Sequence, residues 1–356
     1  LDHLRVDLRL ENDFVASLAQ AVEQAAQLET QLLLAVHLTD GAATQLEALA
    51  QQLEQIDVPV CGIAIFRDGE KSTGSEWVNL AAEKLTGFEV GAGTDAFFTE
   101  LNRGRPAEDD RDFLIFSTNP QVHAFEVVDL VETLTAHAPL IETAQTFNHG
   151  KPIIVSPVTL KMRFNPNATG PEPDTPAGEL PPQVDVRQMS LFGAGWTLGA
   201  LKYLSEPVVP RITFYETTGW RGVIETEHAA HVHGDIFPTR AGIAFPMYHV
   251  FADVAEFAGG ELVKITSSDP LAVDGLMLEK DGRRRVMLAN YTDKTQHVRI
   301  PGLDGNLIVK SLDEWCAEAA MTDPETYRKS AGDHMHSDED DIAITLRPFA
   351  IVRIDG

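Results

Sequence analysis

The chain has 356 residues, of which 44% are apolar, and two cysteines, enough to bury a large core and to form a big domain with a smaller one beside it. With 54 acidic against 28 basic residues and a formal charge of -26, it repels nucleic acid and anionic membrane surfaces, so neither is expected as a partner. No stretch approaches the roughly 18 uninterrupted apolar residues of a membrane span, and the start, LDHLRVDLRL, alternates apolar and charged residues instead of showing a signal peptide's basic and apolar regions.

In chain order, strand-length apolar runs alternate with longer helix-patterned segments, the rhythm of parallel strands joined by crossover helices. The strands read are HLRVDL (3–8), LLLAVHL (32–38), VCGIAIF (60–66), EVGAGT (89–94), DFLIFST (112–118), PIIVSPV (152–158) and RITFYET (211–217). Helical spacing fills the gaps: FVASLAQAVEQAAQLE, AATQLEALAQQLEQI, SEWVNLAAEKL, EVVDLVETLTAHAPLIETAQTF and QMSLFGAGWTLGALKYL. This is the pattern of an α/β fold, a (β/α)8 TIM barrel. From about residue 260 the rhythm changes to short alternating strands, KITSS, GLMLEK, RRVMLANY, HVRIPG, NLIVKSL, DIAITL and AIVRI, with DG, DGN and PG turns, which reads as a C-terminal antiparallel β-sandwich. The expected domains are residues 1–258 and 259–356, divided at the AGGE turn.

A closed barrel of this kind has eight strands, and seven are legible. The eighth either hides in ETEHAAHVHGDIFPTRAGIAF or precedes Leu1; the second is expected, because the chain opens directly on a strand and GIAFPMYHVFADVAEF reads as a closing helix. Cys61 sits in an apolar run and Cys316 in a polar one, so both read as unpaired thiols and the protein as cytoplasmic.

In TIM barrels the active site is built at the carboxyl ends of the strands, so polar residues that end apolar strands are the candidates. These are Asp7 and Arg9, His37 with Asp40, Arg67 with Asp68, Thr94 with Asp95, Ser117 with Asn119 and nearby His123, Ser156 with Thr159, and Glu216 with Trp220 and Arg221. Glu216 ends the strand that reads as most buried and is the leading candidate for a base or nucleophile. Glu100, in FFTELNRGRP beside Arg103 and Arg105, is a candidate second carboxylate, either catalytic or simply paired with the arginines. A pair of carboxylates about 5 to 5.5 Å apart would suit a retaining glycosidase. The Pro- and Gly-rich segment 163–188 reads as a lid or pocket wall, with Arg163 and Asn165 able to hold hydroxyls. His228, His231 and His233 cluster without dependable ligand spacing; no metal and no cofactor is expected, with a divalent metal there as the alternative. The HMHSDEDD stretch reads as an acidic solvated loop.

NPQVHAF with LVETL, SPVTLKMRFNPNATGPE, VDVRQMSLFGAGWTLGALKYL, ITFYETTGWRGV and FPMYHVFADV, collinear over most of residues 1–258, together resemble the bacterial D-apionate lactonases, a family also described as glycoside-hydrolase-like. The resemblance implies a preceding β domain and a first barrel strand outside this chain, and hydrolysis of D-apionolactone to D-apionate in apiose catabolism. No GxSxG nucleophile elbow is present, so Glu216 is expected to activate water. His123 and Asn119 or Arg221 would polarise the carbonyl, Arg163 and Asn165 would orient hydroxyls, Trp220 would pack on the sugar, and His37 and Arg67 complete the expected binding residues. Nothing in the residues specifies an oligomeric state.

Overall fold

A computed structural model describes residues 1–107, 111–168, 174–227, 235–337 and 341–356. Along the first two thirds run β1 (His3–Arg9), α1 (Phe14–Gln27), β2 (Gln31–Leu38), α2 (Ala42–Leu53), β3 (Val60–Arg67), α3 (Ser75–Lys84), β4 (Val90–Thr94) and α4 (Phe98–Arg103). Then come β5 (Phe113–Thr118), α5 (Val127–Glu132), α6 (His137–Asn148), β6 (Ile153–Val158), α7 (Leu191–Ser205) and β7 (Arg211–Phe214). The chain forms two compact units: Leu1–Asn119 with Pro139–Gly170 and Val209–Phe214, and Pro120–Ala138 with Pro171–Val208 and Tyr215–Gly356.

The first unit holds a seven-stranded parallel sheet in sequential order from β1 to β7, a nearly closed TIM barrel. Alternation of side chains along each strand separates two faces. Leu4, Leu8, Leu32, Leu34, Val36, Ile63 and Ile65 join one apolar cluster with Leu18, Leu46, Leu49 and Val78 of the crossover helices. Leu33, Ala35, Phe66, Phe113, Ile115 and Ile154 form a smaller cluster on the opposite face. Gly91 is required there: a Cβ on it would lie 2.0 Å from the Phe113 ring. The two edge strands are tied by His3 Nε2, 2.8 Å from Thr213 Oγ1, and Arg5 Nη1 of β1 donates to the Ser156 carbonyl of β6 at 2.7 Å.

β7 ends earlier than its sequence suggests. Tyr215 has φ +53°, a left-handed conformation rare for a bulky residue, and it stops the strand at Phe214. Glu216 instead opens the short, exposed β8 (Glu216–Thr218), paired with β9 (Gly222–Ile224). The expectation of a fully buried strand ending in Glu216 is therefore corrected: β7 is half-buried and Glu216 is exposed.

In the second unit α8 (Met247–Ala255) precedes an antiparallel sandwich made of β10 (Glu261–Val263), β11 (Val273–Lys280), β12 (Arg283–Asn290), β13 (Gln296–Pro301), β14 (Gly305–Leu312), α9 (Ala317–Thr322), α10 (Pro324–Lys329), β15 (Asp333–Ser337), β16 (Asp341–Leu346) and β17 (Ile351–Asp355). The larger sheet has the order β10-β11-β12-β17-β14-β15, and β13 pairs with β16. Val286, Leu288, Leu307, Ile344, Leu346 and Val352 fill the space between them. KITSS contributes no strand, and part of the supposed acidic loop is β15, paired with β14. The helix α7 is apolar on all sides and correspondingly buried. It is fixed by Trp196 Nε1 donating to the Leu130 carbonyl at 2.9 Å and by Lys202, whose ammonium lies 2.5 Å from the buried Asp274 carboxylate. No helix among the described residues is long and apolar enough to cross a membrane.

Candidate active site

Two polar constellations stand out, one in each unit. In the first unit the alternation that sends Leu4 and Leu8 outward sends His3, Arg5 and Asp7 to the other face, and the in-register pairing of Arg9 with His37 and of His37 with Phe66 levels the strand ends. Arg5 is the organising group. Its Nη2 donates to Asp7 Oδ1 at 2.7 Å and to Asp95 Oδ1 at 2.6 Å, while Nη1 reaches Ser156. Arg163, in the loop after β6, closes the same pair of carboxylates from the opposite side, bonding Asp7 and, at 3.1 Å, Asp95. Burial works against the charge of Arg5, but the Asp7 and Asp95 carboxylates hold its pKa above the ordinary value. Burial likewise opposes ionisation of Asp7, yet Arg5, the His37 imidazole and Arg163 hold its carboxyl well below the usual range.

His37 lies at the centre. Its Nε2 is 3.7 Å from both Asp7 Oδ1 and Asp95 Oδ2, and its Nδ1 is 3.8 Å from Asp68 Oδ1. Asp7, His37 and Asp95 have the residue types and spacing to hold a metal ion, with one donor atom from each all within 4.8 Å of one another. The two guanidiniums already balance both carboxylates, which weighs against a cation there. Of the residues singled out from the sequence, Asp7, His37, Asp68, Asp95, Ser156 and Arg163 are thus brought together. Arg67 has another setting, its guanidinium 2.5 Å from Asp40 and stacked 5.0 Å over the Trp77 ring. Asn165 caps its own loop by accepting from the Asn167 amide at 3.0 Å. Asn119 is half-buried just beyond β5. Glu100 is only 5% exposed in α4 and pairs with Arg103 at 3.1 Å.

The second unit carries a wide cleft lined by Pro181, Gln183, Val184, Glu216, Trp220 and Arg221. The turn between β8 and β9 brings Arg221 back beside Glu216: the Glu216 amide donates to the Arg221 carbonyl at 3.0 Å, and Arg221 Nη2 meets Glu216 Oε1 at 2.5 Å. Trp220 is stacked on Phe237, ring centroids 5.8 Å apart. Asp185, next in the chain after Gln183 and Val184, accepts from Gln121 at 2.7 Å and from Arg187 at 2.7 Å. His123 is exposed on the segment that carries Gln121. His228, His231 and His233 lie outside the described residues.

Sequence reasoning missed Arg5, His3 and Thr213. A charged residue inside an alternating strand reads as solvent-facing, and only barrel curvature turns that face inward.

Residues 1–259 match the family described as D-apionate lactonase, TIM barrel domain, and residues 270–354 match the D-apionate lactonase C-terminal immunoglobulin-like domain. A curated D-apionate lactonase of Brucella anthropi is 26% identical over 238 residues, covering 64% of this chain and 37% of that protein. The chain thus spans little more than a third of that relative's length. Among solved structures, a glycoside hydrolase family 30 endoxylanase from Clostridium papyrosolvens C71 superposes with a TM-score of 0.61 at 11% identity, covering 100% of this chain and 89% of that one. A family 30 subfamily 8 xylanase from Clostridium acetobutylicum gives 0.60 at 9% identity over 100% and 89%. A 4-O-α-L-rhamnosyl-β-D-glucuronidase from Fusarium oxysporum 12S gives 0.59 at 13% over 94% and 78%. At these identities the likeness is one of fold, and it is the sequence match over the whole barrel that decides the family: this chain belongs to the D-apionate lactonases.

Proposed function

We propose that the protein hydrolyses a sugar lactone, D-apionolactone to D-apionate, in the cytoplasm and without a cofactor. The family match over residues 1–259 carries the reading, and the Glu216–Arg221 pair in an open cleft gives it a mechanism. Glu216 takes a proton from water as the water oxygen bonds to the lactone carbonyl carbon. Arg221 offers positive charge to the developing oxyanion. Collapse of the tetrahedral intermediate breaks the ring C–O bond, and Glu216 returns its proton to the departing alkoxide, leaving the open-chain acid. Trp220 presents an aromatic face to the apolar side of the sugar.

The test is acid release from D-apionolactone, corrected for spontaneous hydrolysis, by wild type and Glu216→Gln with and without chelator. Loss of turnover in the variant together with indifference to chelator is the expected result. Release from an aryl glycoside, with no lactone turnover by the wild type, would overturn it in favour of a glycosidase.

A further inference from the structure

The ring of His37 is 7% exposed, yet neither of its nitrogens has a partner at ordinary hydrogen-bond distance among the described residues; the nearest acceptors are Asp7 and Asp95 at 3.7 Å and Asp68 at 3.8 Å. That spacing is longer than an ordinary hydrogen bond and leaves room for an oxygen beside the three groups. One donor atom each from His37, Asp7 and Asp95 lie within 4.8 Å of one another, so one oxygen placed beside them comes within hydrogen-bond reach of the imidazole and of one of the two carboxylates.

Charge favours a neutral group over a cation there. Asp7 and Asp95 are each bonded to both Arg5 and Arg163, so the cluster already balances two negative with two positive groups. Arg5, with a side chain 4% exposed, cannot withdraw without leaving a buried guanidinium unpaired. A divalent cation would sit against two guanidiniums. A neutral hydroxyl adds no charge, donates its proton to a spare carboxylate lone pair and accepts from the imidazole.

We infer that His37, Asp7 and Asp95 form a subsite for a hydroxyl group of a polyhydroxylated ligand, with Arg5 and Arg163 fixing the carboxylates that receive it. The ligand class, sugar lactones and sugar acids, rests on the function proposed above; the subsite itself rests on the geometry of the first unit. His37, Asp7 and Asp95 select for hydroxylation, and a molecule without the C2 and C3 hydroxyls gains nothing from them.

The experiment is calorimetric titration of the full chain with D-apionate and with 4-hydroxybutyrate, its counterpart without the recognising hydroxyls, for wild type, His37→Gln and Asp95→Asn. Imidazole 15N spectra would follow His37 directly, and thermal melts would confirm that each variant is folded. Expected are a loss of affinity for D-apionate of about tenfold or more in both variants, unchanged affinity for 4-hydroxybutyrate, and a shift of the His37 resonance on adding D-apionate to wild type. Equal affinity of folded variants and wild type for D-apionate, or no binding by wild type, would overturn the subsite. Binding of calcium, magnesium or zinc chloride that is abolished by His37→Gln would replace it with a cation site. A wild type that hydrolyses no lactone yet binds D-apionate through His37 would refute the catalytic reading and leave the subsite standing.

Discussion

Nη2 of Arg5 donates to Asp95 Oδ1 at 2.6 Å, joining the middle of β1 to the residue that follows β4. The same nitrogen holds Asp7, and Nη1 holds the Ser156 carbonyl of β6, so one buried guanidinium links three strands of the parallel sheet. Arg5→Met would leave two carboxylates facing only Arg163 and the His37 imidazole, and a buried carbonyl without its donor. The expected cost is about 3 to 5 kcal/mol, the range for breaking a buried ionic network from one side, read from urea unfolding. Arg5→Lys, which keeps the charge without the planar fork, would recover only part of it. Wild-type stability in Arg5→Met would show that the cluster does not brace the barrel.

Asp7 makes the same cluster sensitive to acid. Its carboxyl is held well below the usual range once folded, burial being outweighed by Arg5, His37 and Arg163, so the unfolded chain binds its proton at higher pH than the folded one does. The stabilisation is complete above the ordinary carboxylate pKa of about 3.9 and is lost as pH falls below it towards the depressed folded value. The urea midpoint, followed from pH 6 to pH 2, would drop in the lower part of that range. Asp7→Asn should start lower at pH 6 and fall less steeply; parallel curves for the two proteins would contradict the assignment.

His137 gives a second acid response in a higher window. Burial alone lowers its pKa from 6.5 to about 4, its ring packs edge-on to Trp196 with centroids 6.0 Å apart, and Nε2 has no hydrogen-bond partner among the described residues. A histidine kept neutral in the fold but free to protonate when unfolded subtracts stability as pH falls from 6.5 to about 4. The full loss is on the order of 3 kcal/mol. His137→Leu should flatten unfolding free energy across that window while leaving the steeper loss at lower pH in place; a slope that persists in the variant would assign it to another group.

The barrel was legible because parallel strands covered by helices read as short, nearly continuous apolar runs, and each of the seven quoted runs falls on a strand of the sheet. The strand ends were legible for the same reason: a polar residue near the end of such a run, as His37 is in LLLAVHL, has no place in the core and points to the mouth. Arg5 was not, since HLRVDL alternates just as a half-exposed strand does. Glu216 was misjudged in burial because nothing in RITFYET announces that Tyr215 adopts φ +53° and redirects the chain. β15 escaped notice because its strand, DHMHS, has only one apolar residue; its edge position in the sheet next to β14 lets polar residues occupy it.

The turn that presents Glu216 has its own test. Gly222 is paired with Glu216, and its amide donates to the Gly219 carbonyl at 2.8 Å. A Cβ at Gly222 would lie 2.5 Å from the Thr218 carbonyl carbon and 2.7 Å from its Cα, contacts that only backbone movement relieves. Gly222→Ala should therefore pull Arg221 away from Glu216 while leaving the sandwich intact, because β8 is exposed throughout its length. Misplacement of a catalytic group by about 1 Å costs on the order of a hundredfold in rate, so a loss of lactonase kcat/KM of that size is expected with little change in the melting temperature. Rearrangement of the turn, confirmed by a crystal structure of the variant, with full activity retained would remove Glu216 from the role of base.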